Sequence, residues 1–289
     1  MTRAIEPRPV SHASQGRRIR ALAAAAEANR HRACYAKAET LLRRALALAG
    51  KDSGSNDVTV ATLLNNLAVV HKYQGRFAEA GRLYRRALAL AEKSLGVEHP
   101  RLAAIYHNLG GLEHARGRYG HGEPFARRGL AIREKALGPE YTDVAADVAA
   151  LAAILDGQGK YEEAERLYRR VLAVFRRVYG PEHYEVAVNL NNLAALHHAT
   201  GRPMTAGRLY RRALALKEKL LGPDHPDTAL TLNNLAVLRN DQGKAAEAID
   251  WYRRAIAAFE RALGERHPKT RACRDNLRRL LREAGRPIA

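Results

Sequence analysis

The chain has 289 residues, of which 46% are hydrophobic and 27% are charged, and its formal net charge is +19. This hydrophobic content excludes a wholly disordered protein, and the lack of any apolar run of about 18 residues argues against a membrane-spanning helix. Cys34 and Cys273 form no CxxC pair, which excludes a disulfide framework or a zinc site and favours a reducing cytoplasm. Residues 1–16 are expected to form a disordered basic tail. No secretory signal is predicted there, because no apolar run follows Arg3 and Arg8.

Glycines divide the rest of the chain into repeats of 42 residues. One series is Gly75, Gly117, Gly159, Gly201 and Gly243, and a second is Gly96, Gly138, Gly180, Gly222 and Gly264. The repeats are 17–58, 59–100, 101–142, 143–184, 185–226 and 227–268, followed by a capping helix at 269–284 and a tail at 285–289. This period predicts a single solenoid over 17–284, because one repeat cannot bury its own apolar face.

Each repeat is predicted to form two helices. In 59–100, Leu64, Leu67, Ala68 and His71 follow the i, i+3, i+4, i+7 spacing of a helix with one buried face. The two periodic glycines are expected to end the two helices, since glycine adopts the left-handed backbone of a helix C-terminus.

The second helix of most repeats carries a small residue four positions before a tyrosine, as Ala80 precedes Tyr84, which predicts close helix packing. The repeat 101–142 departs from this pattern, with Ala126 in place of the tyrosine and Pro124 early in the helix. A proline there removes a backbone hydrogen bond, so we expect a local hinge or a frayed helix start.

Acids and histidines recur in the loops between repeats. The acids are expected to cap the following helix or to complement its dipole; they are Asp143, Glu185 and Asp227. The histidines occupy one periodic position, namely His99, His183, His225 and His267. Because they lie one repeat apart, they cannot converge on one metal ion.

Several segments together resemble the tetratricopeptide repeat in the 42-residue form of kinesin light chains. They are Leu232-Asn233-Asn234-Leu235-Ala236, Gln242-Gly243-Lys244, Tyr252-Arg253-Arg254-Ala255 and Gly222-Pro223-Asp224-His225-Pro226. The resemblance covers roughly residues 17–284. It implies an all-α, right-handed superhelical solenoid of antiparallel helix pairs with a concave groove.

No segment carries a catalytic motif such as HExxH, GxSxG or a phosphate-binding loop. His71 and His197 share a position on the buried face and are predicted to be hydrogen-bonded core imidazoles. We therefore expect a non-catalytic protein–protein interaction scaffold in the cytoplasm, with no cofactor and no metal site.

The resemblance places the stripe opposite the buried face of each first helix on the concave groove. The predicted peptide-binding residues are Asn65, Val69, Lys72, His107, His114, Ala149, Asn191, His198, Asn233 and Asn240, with Arg20 and Arg30 as basic ends. Asn65, Asn191 and Asn233 match the groove asparagines of the family, whose amides suit a peptide backbone. The asparagines one residue further on are expected to be structural; they are Asn66, Asn108, Asn192 and Asn234.

Small residues line the middle of the predicted groove, namely Ala104, Gly111, Ala146, Ala149 and Ala153. They either leave room for a bulky ligand side chain or simply permit tight curvature, and the sequence leaves both interpretations open.

Both ends of the chain are basic, which favours an extended acidic peptide with an apolar anchor as the ligand. The alternative is a nucleic acid or another anionic surface, bound by the basic termini and by an outer ladder of arginine pairs. These pairs are Arg43-Arg44, Arg85-Arg86, Arg127-Arg128, Arg169-Arg170, Arg211-Arg212 and Arg253-Arg254. They equally fit a solvated helix face with glutamates nearby, such as Glu165 before Arg169. A regulatory receptor that changes curvature on binding is a third interpretation, and the oligomeric state stays open.

Overall fold

The computed structural model describes residues 12–32, 34–50 and 57–285. Over these ranges the chain forms thirteen helices and no strand, which confirms the predicted all-α repeat fold. The chain divides into two compact units, residues 1–139, called here the N-terminal unit, and residues 140–289, the C-terminal unit.

Within the described residues, the helices of the N-terminal unit are α1 (His12–His31), α2 (Tyr35–Ala49), α3 (Asp57–Tyr73), α4 (Phe77–Leu95), α5 (Leu102–Ala115) and α6 (Tyr119–Leu137). Those of the C-terminal unit are α7 (Thr142–Gly157), α8 (Tyr161–Tyr179), α9 (Tyr184–Ala199), α10 (Pro203–Leu221), α11 (Pro226–Asp241), α12 (Ala245–Leu263) and α13 (Pro268–Glu283). Helix α1 thus begins inside the predicted tail 1–16. Residues 1–11 and 286–289 of the two predicted tails lie outside the described residues.

In each unit the helices pack in chain order. The two helices of a repeat contact each other, and the second contacts the first helix of the next repeat, as α2 contacts α3 and α10 contacts α11. Gly75 follows α3 with a φ of +76°, and Gly96 ends α4 with a φ of +83°, which confirms the predicted helix ends. None of the helices in the described ranges is both long and apolar enough to cross a membrane.

The predicted pairing of a small residue with a tyrosine forms the core of most repeats. Ala80 and Tyr84 have no exposed surface, and Ala164 and Tyr168 are equally well buried in the C-terminal unit. The methyl group leaves space into which the neighbouring helix and the ring pack, which confirms this prediction.

The α5–α6 pair lacks the tyrosine and packs through glycines instead. A Cβ atom added to Gly129 would lie 3.1 Å from the carbonyl oxygen of Ala103, and one added to Gly110 would lie 3.3 Å from the Cβ atom of Ala126. The two helices therefore approach closely where four of the other pairs hold a tyrosine ring.

Helix α6 begins at Tyr119, which is equivalent to Phe77 at the start of α4, and continues through Pro124 to Leu137. The predicted frayed start is therefore wrong. The proline is exposed, and its missing N–H removes only the bond to the carbonyl of Gly120.

Imidazoles, rather than carboxylates, cap the first helices of the later repeats. Nδ1 of His183 accepts a hydrogen bond from the N–H of Glu185 at 3.2 Å, and Nδ1 of His225 accepts one from the N–H of Asp227 at 3.1 Å. The prediction that the acids cap is therefore wrong for these helices, because the histidine two residues earlier already takes the N–H.

The acids retain the second predicted role. Asp143, Glu185 and Asp227 lie in the first turns of α7, α9 and α11, where a negative charge complements the helix dipole. His267 caps α13 in the same way as the histidines above. The periodic loop histidines thus have a structural role that their spacing did not reveal.

Some of the outer arginines are paired with acids, while others, such as Arg44 and Arg86, are exposed. Three form the predicted i, i+4 pairs, namely Arg43 with Glu39 at 2.8 Å, Arg127 with Glu123 at 2.8 Å and Arg169 with Glu165 at 2.6 Å. Such exposed pairs contribute little stability, but they neutralise the charges that a phosphate-binding ladder would need. These three pairs fit the solvated helix face, and phosphate binding by the other outer arginines stays untested.

Candidate peptide-binding surface

A cavity of about 630 Å³ opens in the N-terminal unit beside α3 and α5. Asn65 and Ala104, both predicted to line the groove, are among its lining residues. Val58 and Ile105 contribute to its apolar part. The structure therefore brings part of the predicted stripe together around an apolar space, which is large enough for a side chain from a partner.

The charge of this cavity is basic. Arg101 and Arg133 line it, and no aspartate or glutamate is among its lining residues. The cavity thus combines an apolar lining with positive charge.

Asn65 is held in place by two other asparagines. Its Oδ1 accepts a hydrogen bond from Nδ2 of Asn108 at 2.9 Å, and its Nδ2 lies 3.4 Å from Oδ1 of Asn66. These contacts confirm the structural role predicted for Asn66 and Asn108. Because the oxygen of Asn65 is engaged, its amide hydrogens are the part that suits a ligand carbonyl.

Lys72 is the centre of a basic cluster further along the same stripe. Its Nζ lies 5.6 Å from the ring centroid of Tyr73, and the guanidinium of Arg30 lies 5.9 Å from the same ring. Burial and the nearby charge of Arg30 lower the pKa of Lys72. Burial and the charge of Lys72 lower the pKa of His114. The structure thus brings together three predicted site residues of basic type, Arg30, Lys72 and His114.

In this cluster only Arg30, and not Lys72, forms an ion pair with an acid among the described residues. Arg30 forms an ion pair with Glu27, whereas Lys72 has no acidic partner among the residues that the structure describes. A half-buried ammonium between two other basic groups is an unfavourable arrangement, which an incoming carboxylate would relieve.

The remaining predicted residues of the N-terminal unit lie around these two sites. Val69 is half-buried and packs against the core, and His107 is half-buried on α5. Arg20 is exposed on α1.

Asn191 in the C-terminal unit is only 7% exposed. Its Oδ1 accepts hydrogen bonds from the hydroxyl of Thr231 at 3.1 Å and from Nδ2 of Asn234 at 3.4 Å. This confirms the structural role predicted for Asn234. It also means that Asn191 serves mainly as a link between α9 and α11.

A buried lysine completes this network and was not predicted. Nζ of Lys217 donates to the hydroxyl of Thr231 at 3.0 Å and to the backbone carbonyl of Asp227 at 3.2 Å. Lys217 is 2% exposed, and burial lowers its pKa. The same position of other repeats holds mostly apolar residues, including Ala91, Phe175 and Phe259. A charged residue at this position is therefore the sequence feature from which the network could have been predicted.

The other predicted residues of the C-terminal unit are half-buried. Nε2 of His198 lies 2.9 Å from Oδ2 of Asp241, and Oδ1 of Asn233 is buried without a hydrogen-bond partner among the described residues. Ala149 and Asn240 lie on α7 and α11. Nothing in the structure tests whether these residues contact a ligand, so they stay predictions.

The two core histidines each face a glutamate held by arginines. Nε2 of His71 lies 3.3 Å from Oε1 of Glu39, which confirms the predicted hydrogen-bonded imidazole. Burial alone would raise the pKa of Glu39, but hydrogen bonds, chiefly from Arg43 and Arg76, outweigh it and lower the pKa to about 2. His197 is also buried, but its Nε2 lies 3.9 Å from Glu165, beyond hydrogen-bond distance, and its Nδ1 has no partner among the described residues, so the predicted hydrogen bond of this imidazole is wrong.

The sequence profile of the tetratricopeptide repeat matches residues 17–93, 59–135, 144–219, 185–260 and 227–289. These overlapping matches cover most of the chain. The protein belongs to the tetratricopeptide repeat family. Its repeats indicate a protein–protein interaction scaffold, and the family is typically non-enzymatic. No curated protein sequence matches the chain.

Solved tetratricopeptide structures resemble this chain. The kinesin light chain-like repeats of a Podosopora anserina protein are 25% identical, with 68% of this chain and 93% of that one covered and a TM-score of 0.57. BtubC (BKLC) from P. vanneervenii is also 25% identical, with 96% and 94% covered and a TM-score of 0.57. PilW, a type IV pilus biogenesis factor, is 16% identical over 88% of this chain and 97% of that one, with a TM-score of 0.60, and shows the fold alone. The predicted kinesin light chain-like type is thereby confirmed.

Proposed function

We propose that this tetratricopeptide repeat protein binds an extended acidic segment of a partner protein along the first helices of the N-terminal unit. An apolar side chain of the segment enters the cavity beside Asn65, and a nearby carboxylate binds Lys72. The observation that carries the proposal is Lys72 itself, a half-buried ammonium on the same stripe as the cavity, without an acidic partner among the described residues.

The chemistry of the two sites supports a peptide rather than a small molecule. Asn65 offers amide hydrogens to a backbone carbonyl, and the apolar part of the cavity beside it suits an apolar side chain of the same segment. The carboxylate would replace the water lost by Lys72 on burial, so binding is expected to raise the pKa values of Lys72 and His114.

The proposal is tested with a positional-scanning library of immobilised extended peptides, probed with the full chain. The wild-type protein is expected to select Asp or Glu close to an aliphatic residue. Lys72→Glu should weaken binding to the selected acidic peptides by about tenfold or more, because an attraction becomes a repulsion. Lys93→Glu, which changes an exposed lysine of α4, is the matched control and should bind as the wild type does.

The pH dependence gives an independent measurement with a selected peptide. Because burial and Lys72 lower the pKa of His114 and a bound carboxylate raises it, affinity should increase as the pH falls through the titration of His114. A library profile without acidic preference, or equal losses in Lys72→Glu and Lys93→Glu, would contradict the proposal.

A further inference from the structure

A second apolar groove lies between α1 and α2, away from the surface proposed above. It has a volume of about 520 Å³, and its lining residues are Arg18, Ala21, Leu22, Arg44, Ala47 and Leu48. We call it the α1–α2 groove. Four of its six lining residues are apolar, and the other two are arginines at its rim.

The repeat pattern explains what kind of group fits this groove. Ala21 is exposed, whereas its equivalents Leu63 and Ile105 are buried. Leu63 belongs to the same buried cluster as Leu42 of α2, in the preceding repeat. The α1–α2 groove therefore corresponds to a surface that a preceding helix covers in a later repeat, and a helix is the shape that fits it.

The two rim arginines show which charge the helix carries. Two of the five equivalents of Arg44, Arg128 and Arg254, pair with an acid of the preceding repeat, Glu98 and Glu218 respectively. Neither Arg18 nor Arg44 has an ion-pair partner in the part of the chain that the structure describes. A carboxylate from outside that part of the chain would give Arg44 the kind of partner that Arg128 and Arg254 have.

We propose that the α1–α2 groove binds an amphipathic helix of a partner protein, with its apolar face on Leu22 and Leu48 and carboxylates on Arg18 and Arg44. A second copy of this chain fits less well, because both of its ends are basic and would repel one another. A nucleic acid would bind the arginines but leave the apolar floor uncovered. The partner helix would both cover the apolar floor and pair with the arginines, as in other complexes in which a helix binds in a groove.

The probe is a fluorescein-labelled synthetic helix of about five turns, with leucine along one face and glutamate on both flanks. Its binding to the full chain is measured by fluorescence anisotropy. Arg44→Glu is expected to weaken binding by about tenfold or more, and the same peptide with lysine flanks should not bind. Arg86→Glu, at the equivalent exposed position of α4, is the matched control and should bind as the wild type does.

Because Arg44 and Arg86 are exposed, both variants are expected to remain folded. Circular dichroism measures whether they do. The proposal is overturned by absent binding, by equal losses in Arg44→Glu and Arg86→Glu, or by equal binding of the two peptides. Displacement of the peptide by a DNA duplex would assign the groove to nucleic acid. Self-association of the chain that Arg44→Glu abolishes in sedimentation would assign it to a second copy, and either result also overturns the proposal.

Discussion

The two units use the same repeat with different chemistry at equivalent positions. In the N-terminal unit the last position of the groove stripe holds Arg30, Lys72 and His114, whereas the C-terminal unit has Asp156, His198 and Asn240 there. Burial raises the pKa of Asp156, while burial lowers that of Lys72, so the two units hold partly desolvated groups of opposite charge. The repeat therefore determines the backbone structure, whereas the charge of the side chain at this position differs between the units.

The cores differ as well. The α5–α6 pair of the N-terminal unit packs through Gly110 and Gly129, whereas α7–α8 of the C-terminal unit packs around Tyr168. Where α4 buries Ala91, α10 buries the ammonium of Lys217. Each helix pair therefore fills its interface, but with different side chains.

Removing the ring from the C-terminal pair is expected to have the largest effect. Tyr168→Ala should lower the free energy of unfolding by about 3–5 kcal/mol, because it leaves a ring-sized cavity between α7 and α8. Thermal and urea unfolding of the full chain measure the change, with Tyr179→Ala, at an exposed tyrosine of the same helix, as the control. A near-wild-type stability would show that α7–α8 can close on an alanine as α5–α6 does.

The reverse change in the N-terminal pair sharpens the same contrast. Ala126→Tyr is expected to cost about 1–3 kcal/mol, because Gly110 and Gly129 hold α5 too close for a ring. Ala131→Tyr, at an exposed position of α6, should leave the unfolding curve unchanged. If Ala126→Tyr is neutral or stabilising, the close glycine packing does not distinguish this pair.

The buried lysine gives the smallest and most specific effect. Its folded pKa lies below the unfolded value of about 10.4, so the unfolded chain binds more protons between these two values and stability rises with pH there. Lys217→Met should remove this rise, which amounts to at most about 1.4 kcal/mol per pH unit. Urea unfolding between neutral pH and the lysine range measures it. Lys219→Met, at an exposed lysine of the same helix, should keep the wild-type slope, and an unchanged slope in Lys217→Met would refute the assignment.

Much of the candidate site could be predicted because it follows the period. The pairing of Asn108 with Asn65 and of Asn234 with Asn191 has the same spacing, so the sequence placed the second asparagine of each pair correctly as a structural residue. The burial of Asn191 could not be predicted, since it depends on Thr231 and Lys217, which have no counterparts in the pattern. A contact between different repeats depends on which side chains happen to meet.

The sequence by itself determined the helices, their ends and the columns of buried residues, because glycine conformation and apolar spacing act over a few residues of the backbone. Only the tertiary structure decided that histidines cap the later first helices, that Lys72 stands beside Arg30 and His114, and that Lys217 is buried. The positions of Lys72 and Lys217 depend on contacts between side chains that are far apart along the chain. The histidine caps depend on which of two neighbouring side chains reaches a backbone N–H. A hydrogen bond or a desolvated charge is set by interatomic distances within a few tenths of an ångström, and a repeat pattern does not carry that information.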